Sequence, residues 1–251
     1  MPLPLSLFRL SALLVLGLAS MAMAQSPGPL NGQMFGAGNR ALVVVVHGDV
    51  SKGGPATYHY DFAEQVAKQG KGASVFALIR PGYTGEKGQK SPGSNNGRSD
   101  HYTKQNNALV AQTIQNLAKT VGASKVIGVG HSGGAAQLGA IAGLYPGLID
   151  SVILVSCPCN IPAWRAKRGK SAWKNSLSPS DYVGSIARGT RIFAVVGDKD
   201  TNTYPEFSEA FVTAAKARGL PAAYVPVKGA SHGFDGLQRT VEQLTLQEIA
   251  K

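Results

Sequence analysis

Residues that bind metals and cofactors are scarce in this sequence. It has five histidines and two cysteines in 251 residues. The histidines do not follow a metal-ligand spacing such as H-x-x-x-H. The segment "GVGHSGG" is superficially similar to a dinucleotide-binding loop, but it contains a serine, and no acid ends the following strand. The sequence therefore predicts neither a metal site nor a cofactor.

Acidic residues are also few. The chain has 25 Lys and Arg against 14 Asp and Glu, which gives a formal net charge of +11. Proteins that bind nucleic acids often carry such an excess, but here the basic residues are scattered and no long Lys/Arg run occurs. We therefore predict no nucleic-acid partner. Attraction to an anionic surface or an anionic substrate fits the charge better.

Long apolar runs are missing beyond the N-terminus. Arg9 precedes "LSALLVLGLAS", and "MAMA" supplies small residues before Ala24, which is the pattern of a secretory signal peptide at 1–24. No later segment approaches the roughly 20 apolar residues of a transmembrane helix. We expect cleavage near Ala24 and a secreted or periplasmic protein without a stable membrane span. An uncut signal anchor is the alternative.

Apolar segments rich in β-branched residues alternate with stretches of helical pattern. The run "ALVVVV" is typical of a strand buried on both faces of a parallel sheet. The alternation predicts an α/β fold, with a mostly parallel sheet flanked by helices on both faces. No repeat or linker divides residues 25–251, so we predict one domain there. The predicted strands cover 41–48, 73–79, 125–130, 151–156, 191–197 and 222–227, and the predicted helices lie near 58–70, 102–121, directly after Ser132, near 206–218 and after Gly236.

A glycine-flanked serine follows the predicted strand at 125–130. Gly130-His131-Ser132-Gly133-Gly134 matches the G-x-S-x-G nucleophile elbow, in which a tight strand-to-helix turn exposes the serine hydroxyl. Glycines two residues either side allow strand and helix to approach closely. We predict Ser132 as the nucleophile. A second match surrounds Ser231, but the only histidine after it is its neighbour His232, so we predict a turn residue there.

The base and the acid should follow the nucleophile in the chain. His232, in "VKGASHGFDG", is the only histidine beyond His131. The loop after the strand at 191–197 offers Asp198 and Asp200 as the acid that orients it. We predict Asp200, because a carboxylate needs a residue or two of loop to turn toward the histidine. Asp198 follows the strand directly and is more typical of a turn cap.

These residues resemble a known family. The order Ser, Asp, His, the segment "VVVVHGD" and the elbow "GHSGG" are similar to those of the α/β-hydrolase family, over residues 40–250. The resemblance implies a serine hydrolase with an oxyanion site made by the backbone amides of Gly133 and Asp49, with Val50 as the alternative to Asp49. An acid at the donor position would oppose an oxyanion, so we expect the Asp49 side chain to turn away and cap the next helix. Residues 25–40 leave room for one short leading strand only.

The segment 157–190 connects two predicted strands and is long enough to form a small cap beside the active site. It carries Trp164 and Trp173. Under one interpretation the tryptophans only pack the cap onto the sheet and the basic residues face water. Under the other, a tryptophan stacks on the substrate and the basic residues favour a substrate with negative charge. These basic residues, set against the single acid Asp181, are Arg165, Lys167, Arg168, Lys170, Lys174 and Arg188.

Cys157 and Cys159 flank Pro158 at the start of this segment. A protein that is exported meets oxidising conditions, which favours a disulfide between them. The short separation opposes one, because residues two apart in an extended chain lie near the upper limit of the Cα distance that a bridge tolerates. Both states remain open at this point.

The leading functional hypothesis is hydrolysis of a small carboxylic ester, through an acyl-enzyme on Ser132. A peptidase or amidase of the same fold is the first alternative. A binding module that has the fold without catalysis is the second. The sequence makes no prediction of the oligomeric state.

Overall fold

A computed structural model describes residues 28–251. It contains one seven-stranded sheet with the strand order β1-β3-β2-β4-β5-β6-β7. Every neighbouring pair is parallel except β1 with β3, which is antiparallel. The strands are β1 (Gly32–Phe35), β2 (Ala41–Val46), β3 (Ala73–Leu78), β4 (Val126–His131), β5 (Ser151–Val155), β6 (Arg191–Gly197) and β7 (Ala222–Val227).

Between residues 28 and 251, seven α-helices accompany the sheet. They are α1 (Tyr60–Gln69), α2 (Lys104–Val121), α3 (Gly133–Leu144), α4 (Ile161–Lys167), α5 (Pro179–Tyr182), α6 (Pro205–Ala217) and α7 (Gln238–Ala250). The Thr103 side chain accepts a hydrogen bond from an amide in the first turn of α2, and Gly122 ends that helix in a left-handed conformation. These are the residue types that commonly begin and end helices, since a hydroxyl satisfies a free amide and glycine adopts a positive φ without strain.

The central strands are buried on both faces of the sheet. In β2, the side chains of Leu42 and Val44 pack with those of α2 and α3 in one apolar cluster. The side chains of Val43 and Val45, which point the other way, pack with α1 and α7 in a second cluster. Side chains alternate between the two faces of a sheet along a strand. A continuous apolar run therefore indicates that other elements cover both faces. That is why "ALVVVV" predicted a parallel sheet between two helical layers.

The fold class is confirmed. All six predicted strands form, with ends within two residues of those expected, and the single leading strand is β1. The predicted signal peptide, residues 1–24, lies outside the described residues. Between residues 28 and 251, no helix combines the length and the apolar character that a membrane crossing requires.

Candidate active site

Ser132 lies at a tight turn between β4 and α3. Its backbone has φ 52° and ψ −114°, in a region that serine rarely adopts. A Cβ on Gly130 would lie 2.6 Å from the carbonyl oxygen of Gly134, and one on Gly134 would lie 2.3 Å from that of Val46. Only glycine therefore allows β2, β4 and α3 to approach this closely. The turn leaves Ser132 half-buried at a pocket.

His232 lies between Ser132 and Asp200. Its Nε2 is 3.2 Å from Ser132 Oγ, and its Nδ1 is 3.0 Å from Asp200 Oδ2. A carboxylate can only accept, so it keeps the proton on Nδ1 and leaves Nε2 as an acceptor for the serine hydroxyl. The three residues follow β4, β7 and β6, whose carboxyl ends meet at one edge of the parallel sheet. This common edge brings together residues that are far apart in sequence.

The loop after β6 holds Asp200 in a fixed orientation. The Asp200 carboxylate accepts hydrogen bonds from the Thr203 hydroxyl at 2.7 Å and from the Thr203 amide at 3.0 Å. Burial would raise the pKa of Asp200, but the hydrogen bonds from His232 and Thr203 outweigh it and hold the pKa below its ordinary value. Asp198 is exposed, and it accepts a hydrogen bond from the Gly229 amide at 2.7 Å. Of the two candidate acids, only Asp200 contacts the histidine.

A chain of hydrogen bonds also reaches His232 from the other side. The Tyr58 hydroxyl accepts a hydrogen bond from the Gly48 amide at 2.6 Å and lies 2.6 Å from His131 Nδ1. His131 Nε2 is 3.0 Å from the carbonyl oxygen of His232. Since that carbonyl can only accept, Nε2 carries the proton and Nδ1 accepts from Tyr58. Burial and the neighbouring His232 lower the pKa of His131 to about 4, so this ring is neutral at neutral pH.

Unused backbone amides lie next to Ser132. In the part of the chain that the structure describes, the amides of Gly133, Asp49 and Val50 donate to no protein acceptor. Gly133 is the first residue of α3, where the partial positive charge of the helix is concentrated. Asp49 lines the pocket, whereas Val50 does not. Of the two alternatives Asp49 and Val50, only Asp49 therefore borders the pocket beside Ser132.

The Asp49 side chain does not cap the next helix, so that expectation is wrong. Helix α1 begins at Tyr60, and no side chain caps it. The Asp49 carboxylate instead accepts a hydrogen bond from Arg80 Nη1 at 2.8 Å, because the buried guanidinium requires a counter-charge. Burial would raise the pKa of Asp49, but Arg80 and a hydrogen bond from His101 hold the pKa well below its ordinary value. The other donors to this carboxylate are Tyr83 and Tyr102.

Arg80 connects three elements around Asp49 and Gly133. It is 1% exposed, and its Nε donates to Gln137 Oε1 of α3 at 2.6 Å. Its amide donates to His47 Nε2 at 2.9 Å, and His47 Nδ1 lies 2.6 Å from the carbonyl oxygen of Gly48. A Cβ on Gly133 would lie 2.7 Å from Arg80 Nη1. Asp49 Oδ1 would lie at the same distance from that Cβ, so both members of the ion pair lie against Gly133 and the charge of the carboxylate is compensated beside it.

A pocket of about 340 Å³ opens beside Ser132. The segment 157–190 supplies part of its lining, including Trp164 and Trp173. The centroids of the two rings are 5.4 Å apart in an edge-to-face arrangement, and Trp164 Nε1 donates to the carbonyl oxygen of Asn202 at 2.8 Å. Four basic side chains also line the pocket, namely Arg98, Arg165, Arg168 and Lys170.

Cys157 and Cys159 form a disulfide, with their Cα atoms 5.1 Å apart. Both cysteines are buried, and Pro158 between them lines the pocket. The bridge lies where the chain leaves β5 for the segment with the two tryptophans. It therefore restricts the backbone at the base of this pocket wall.

Comparison with known proteins identifies the family. A model of the alpha/beta hydrolase family matches residues 43–225, which is most of the chain. The chain belongs to the alpha/beta hydrolase family. The resemblance seen in the sequence is thus confirmed. No curated protein matches this hydrolase significantly.

Several solved structures share the fold of this hydrolase. The monoacylglycerol lipase of Paleococcus ferrophilus has a TM-score of 0.62 and 19% identity, over 87% of this chain and 98% of the lipase. Est1E of Butyrivibrio proteoclasticus, solved with ferulic acid bound, has a TM-score of 0.63 and 19% identity. The match covers 88% of this chain and 96% of Est1E. A puromycin-hydrolysing peptidase of Mycobacterium tuberculosis has a TM-score of 0.61 and 18% identity, over 84% of this chain and 34% of the peptidase.

The sequence did not reveal several polar residues of this hydrolase's site. Tyr58, Arg80 and His101 stand in segments without a recognisable motif, and they come together only because loops after different strands meet. Tyr83 and Tyr102, which bind Asp49, were missed for the same reason. One signal was present: Arg80 directly follows a buried strand, at the sheet edge where such a fold builds its site. Between residues 28 and 251, no cluster of three His, Cys, Asp or Glu side chains could hold a metal ion.

Proposed function

We propose that this protein is a serine hydrolase that cleaves carboxylic esters. The observation that carries the proposal is the hydrogen-bonded series from Ser132 Oγ through His232 to Asp200, at 3.2 Å and 3.0 Å, beside a pocket. The structures of similar fold include a lipase, the esterase PE8 and one peptidase, which supports ester over amide chemistry. Their sequences are too distant to indicate a particular ester.

The proposed reaction begins with proton transfer. His232 Nε2 accepts the Ser132 proton as Oγ attacks the carbonyl carbon, and Asp200 stabilises the imidazolium and its tautomer. The amides of Gly133 and Asp49 donate to the oxyanion of the tetrahedral intermediate. The imidazolium then protonates the leaving alcohol oxygen as the ester bond breaks. Water, deprotonated by His232, attacks the acyl carbon. The bond between this carbon and Ser132 Oγ then breaks, Oγ takes the proton from the imidazolium, and the acid is released.

Covalent labelling tests the nucleophile. A fluorophosphonate probe should label the wild-type protein, and Ser132→Ala should abolish both labelling and ester hydrolysis, with a loss of kcat of at least about a thousandfold. Ser231→Ala is the matched control, because Ser231 stands in the second G-x-S-x-G match but is exposed in the turn after β7. Labelling that persists in Ser132→Ala would refute the assignment.

The same protein separates the alternative functions. Hydrolysis of 4-nitrophenyl esters, at rates well above those of the matching 4-nitroanilides, would support the ester hydrolase. Faster anilide cleavage would identify a peptidase or amidase. A wild-type protein that neither reacts with the probe nor cleaves either substrate would be a binding module.

A further inference from the structure

Positive charge without a counter-ion is concentrated at the mouth of the pocket. Arg98, Arg168 and Lys170 are exposed there, and Arg165 is half-buried. Among residues 28–251, no carboxylate lies within 4 Å of any of the four basic groups, although Lys167 nearby is paired with Glu206. The acid that lines the same pocket, Asp49, is already paired with Arg80. The basic groups therefore present uncompensated charge to whatever enters.

The two tryptophans hold two of these guanidinium groups in place. The Arg165 guanidinium lies 4.8 Å from the ring centroid of Trp173, and that of Arg168 lies 5.4 Å from a Trp164 ring. Stacking on an aromatic ring restricts a long side chain and reduces the entropy lost on binding. The arginines thus cover part of the tryptophan ring faces. Less ring surface is left for an apolar group of a substrate. This favours charge recognition over aromatic stacking.

Hydrogen-bonding capacity remains on both arginines. Arg165 Nε donates to the carbonyl oxygen of Ser171 at 2.9 Å, and Arg168 Nη1 donates to Asn202. No protein acceptor among the described residues binds the two Nη groups of Arg165 or the Nη2 group of Arg168. These groups can donate to the oxygen atoms of an anion, as arginine commonly does with carboxylates and phosphates.

We propose that the substrates are esters with an anionic group, held by Arg165, Arg168, Lys170 and Arg98 while Ser132 attacks the ester carbonyl. This inference rests on the proposed ester hydrolase function and specifies its substrate class. A pocket of about 340 Å³ suits a small molecule. The anionic group, a carboxylate in the simplest case, belongs to the acyl part or to the leaving alcohol.

Matched pairs of esters test both positions. For the acyl part, the 4-nitrophenyl monoester of glutaric acid is compared with 4-nitrophenyl valerate, which has the same chain length without the charge. For the leaving group, the acetate ester of 4-hydroxybenzoate is compared with that of its methyl ester, each rate being divided by the uncatalysed rate. In at least one pair, kcat/KM of the anionic ester should exceed that of the neutral ester about tenfold at low salt. The preference should shrink at 0.5 M salt, roughly the regime in which screening acts within a few ångströms.

Substitutions locate the effect within the pocket. Arg165→Gln and Lys170→Gln should each lower the anionic-to-neutral ratio of kcat/KM about threefold, mainly through KM of the anionic ester. Lys174→Gln is the matched control, because Lys174 is exposed in the same segment but does not line the pocket. It removes the same charge and should leave the ratio unchanged.

Two results would overturn the inference. A ratio near one in both pairs would mean that the pocket does not select anions, and an equal loss in Lys174→Gln would assign the effect to overall charge. Absence of hydrolysis of all four esters by wild-type protein would refute the proposed function instead. The two failures are therefore distinguishable.

Discussion

Replacing Tyr58 by phenylalanine should slow the reaction without removing any group that contacts the substrate carbonyl. The Tyr58 hydroxyl bonds the Gly48 amide and His131 Nδ1, both at 2.6 Å. At one end of this series of hydrogen bonds is Gly48, which precedes Asp49, a proposed oxyanion donor. At the other end, His131 contacts the carbonyl oxygen of His232. The hydroxyl thus acts as a positioning group for both sides of the site.

The magnitude follows from the two bonds. Each is worth about 0.5–1.5 kcal/mol net. Tyr58 is 42% exposed, so water can partly replace the hydroxyl and the lower half of that range applies. We therefore expect Tyr58→Phe to cost about 1–2 kcal/mol. If this free energy is lost from the stabilisation of the transition state, kcat decreases about tenfold, because 1.36 kcal/mol corresponds to a factor of ten in rate.

The assay combines kinetics and titration. Tyr58→Phe should lower kcat with little change in KM, and the pKa of His131, followed by NMR, should rise from about 4 toward its ordinary value as Nδ1 loses its donor. Tyr60→Phe is the matched control, because the buried Tyr60 hydroxyl has no hydrogen-bond partner among the described residues. If both variants have the same kcat and the same His131 titration, the positioning role is refuted.

Three further predictions test other parts of the structure. Asp200→Asn should reduce kcat by about four orders of magnitude through the wrong His232 tautomer, whereas Asp198→Asn should be mild; the opposite ranking in steady-state kinetics would reassign the acid. The pKa values of His59 and His131 are lowered to about 3 and about 4, and burial also lowers those of His47 and His101, so the unfolded chain binds more protons as the pH falls through 6.5. The first two alone make the free energy of unfolding, measured in urea, at least about 4 kcal/mol lower at pH 5 than at pH 7.5, and equal values would contradict this. Thiol counting under denaturing, non-reducing conditions should find no free thiol, and two free thiols would exclude the disulfide.

Strands and the order of site residues could be predicted because they depend on local patterns. Continuous β-branched runs indicated strands that are buried on both faces of the sheet. The glycines around Ser132 indicated a close approach of strand and helix. The preference for Asp200 over Asp198 followed from how far a loop must travel before it turns. In each case the physical cause acts within a few residues of the chain.

The polar surroundings of the site could not be predicted in this way. Asp49 was expected to turn away and cap a helix, since a carboxylate beside an oxyanion would oppose it. Its partner, Arg80, is 31 residues away and reaches it from the end of β3. A buried arginine becomes recognisable only when the packing that buries it is known, and the same holds for Tyr58 opposite His131. Such contacts depend on the three-dimensional arrangement of separate loops.

The disulfide between Cys157 and Cys159 has a consequence for biogenesis. The chain has no other cysteine, so a single intramolecular pairing exists and scrambled isomers cannot form within one molecule. Closure across two residues brings together chain positions that are already neighbours, so it needs no long-range structure. The bridge therefore does not depend on the later strands β6 and β7 for its pairing. Oxidative maturation of this protein requires an oxidant, but it gives a disulfide isomerase nothing to rearrange.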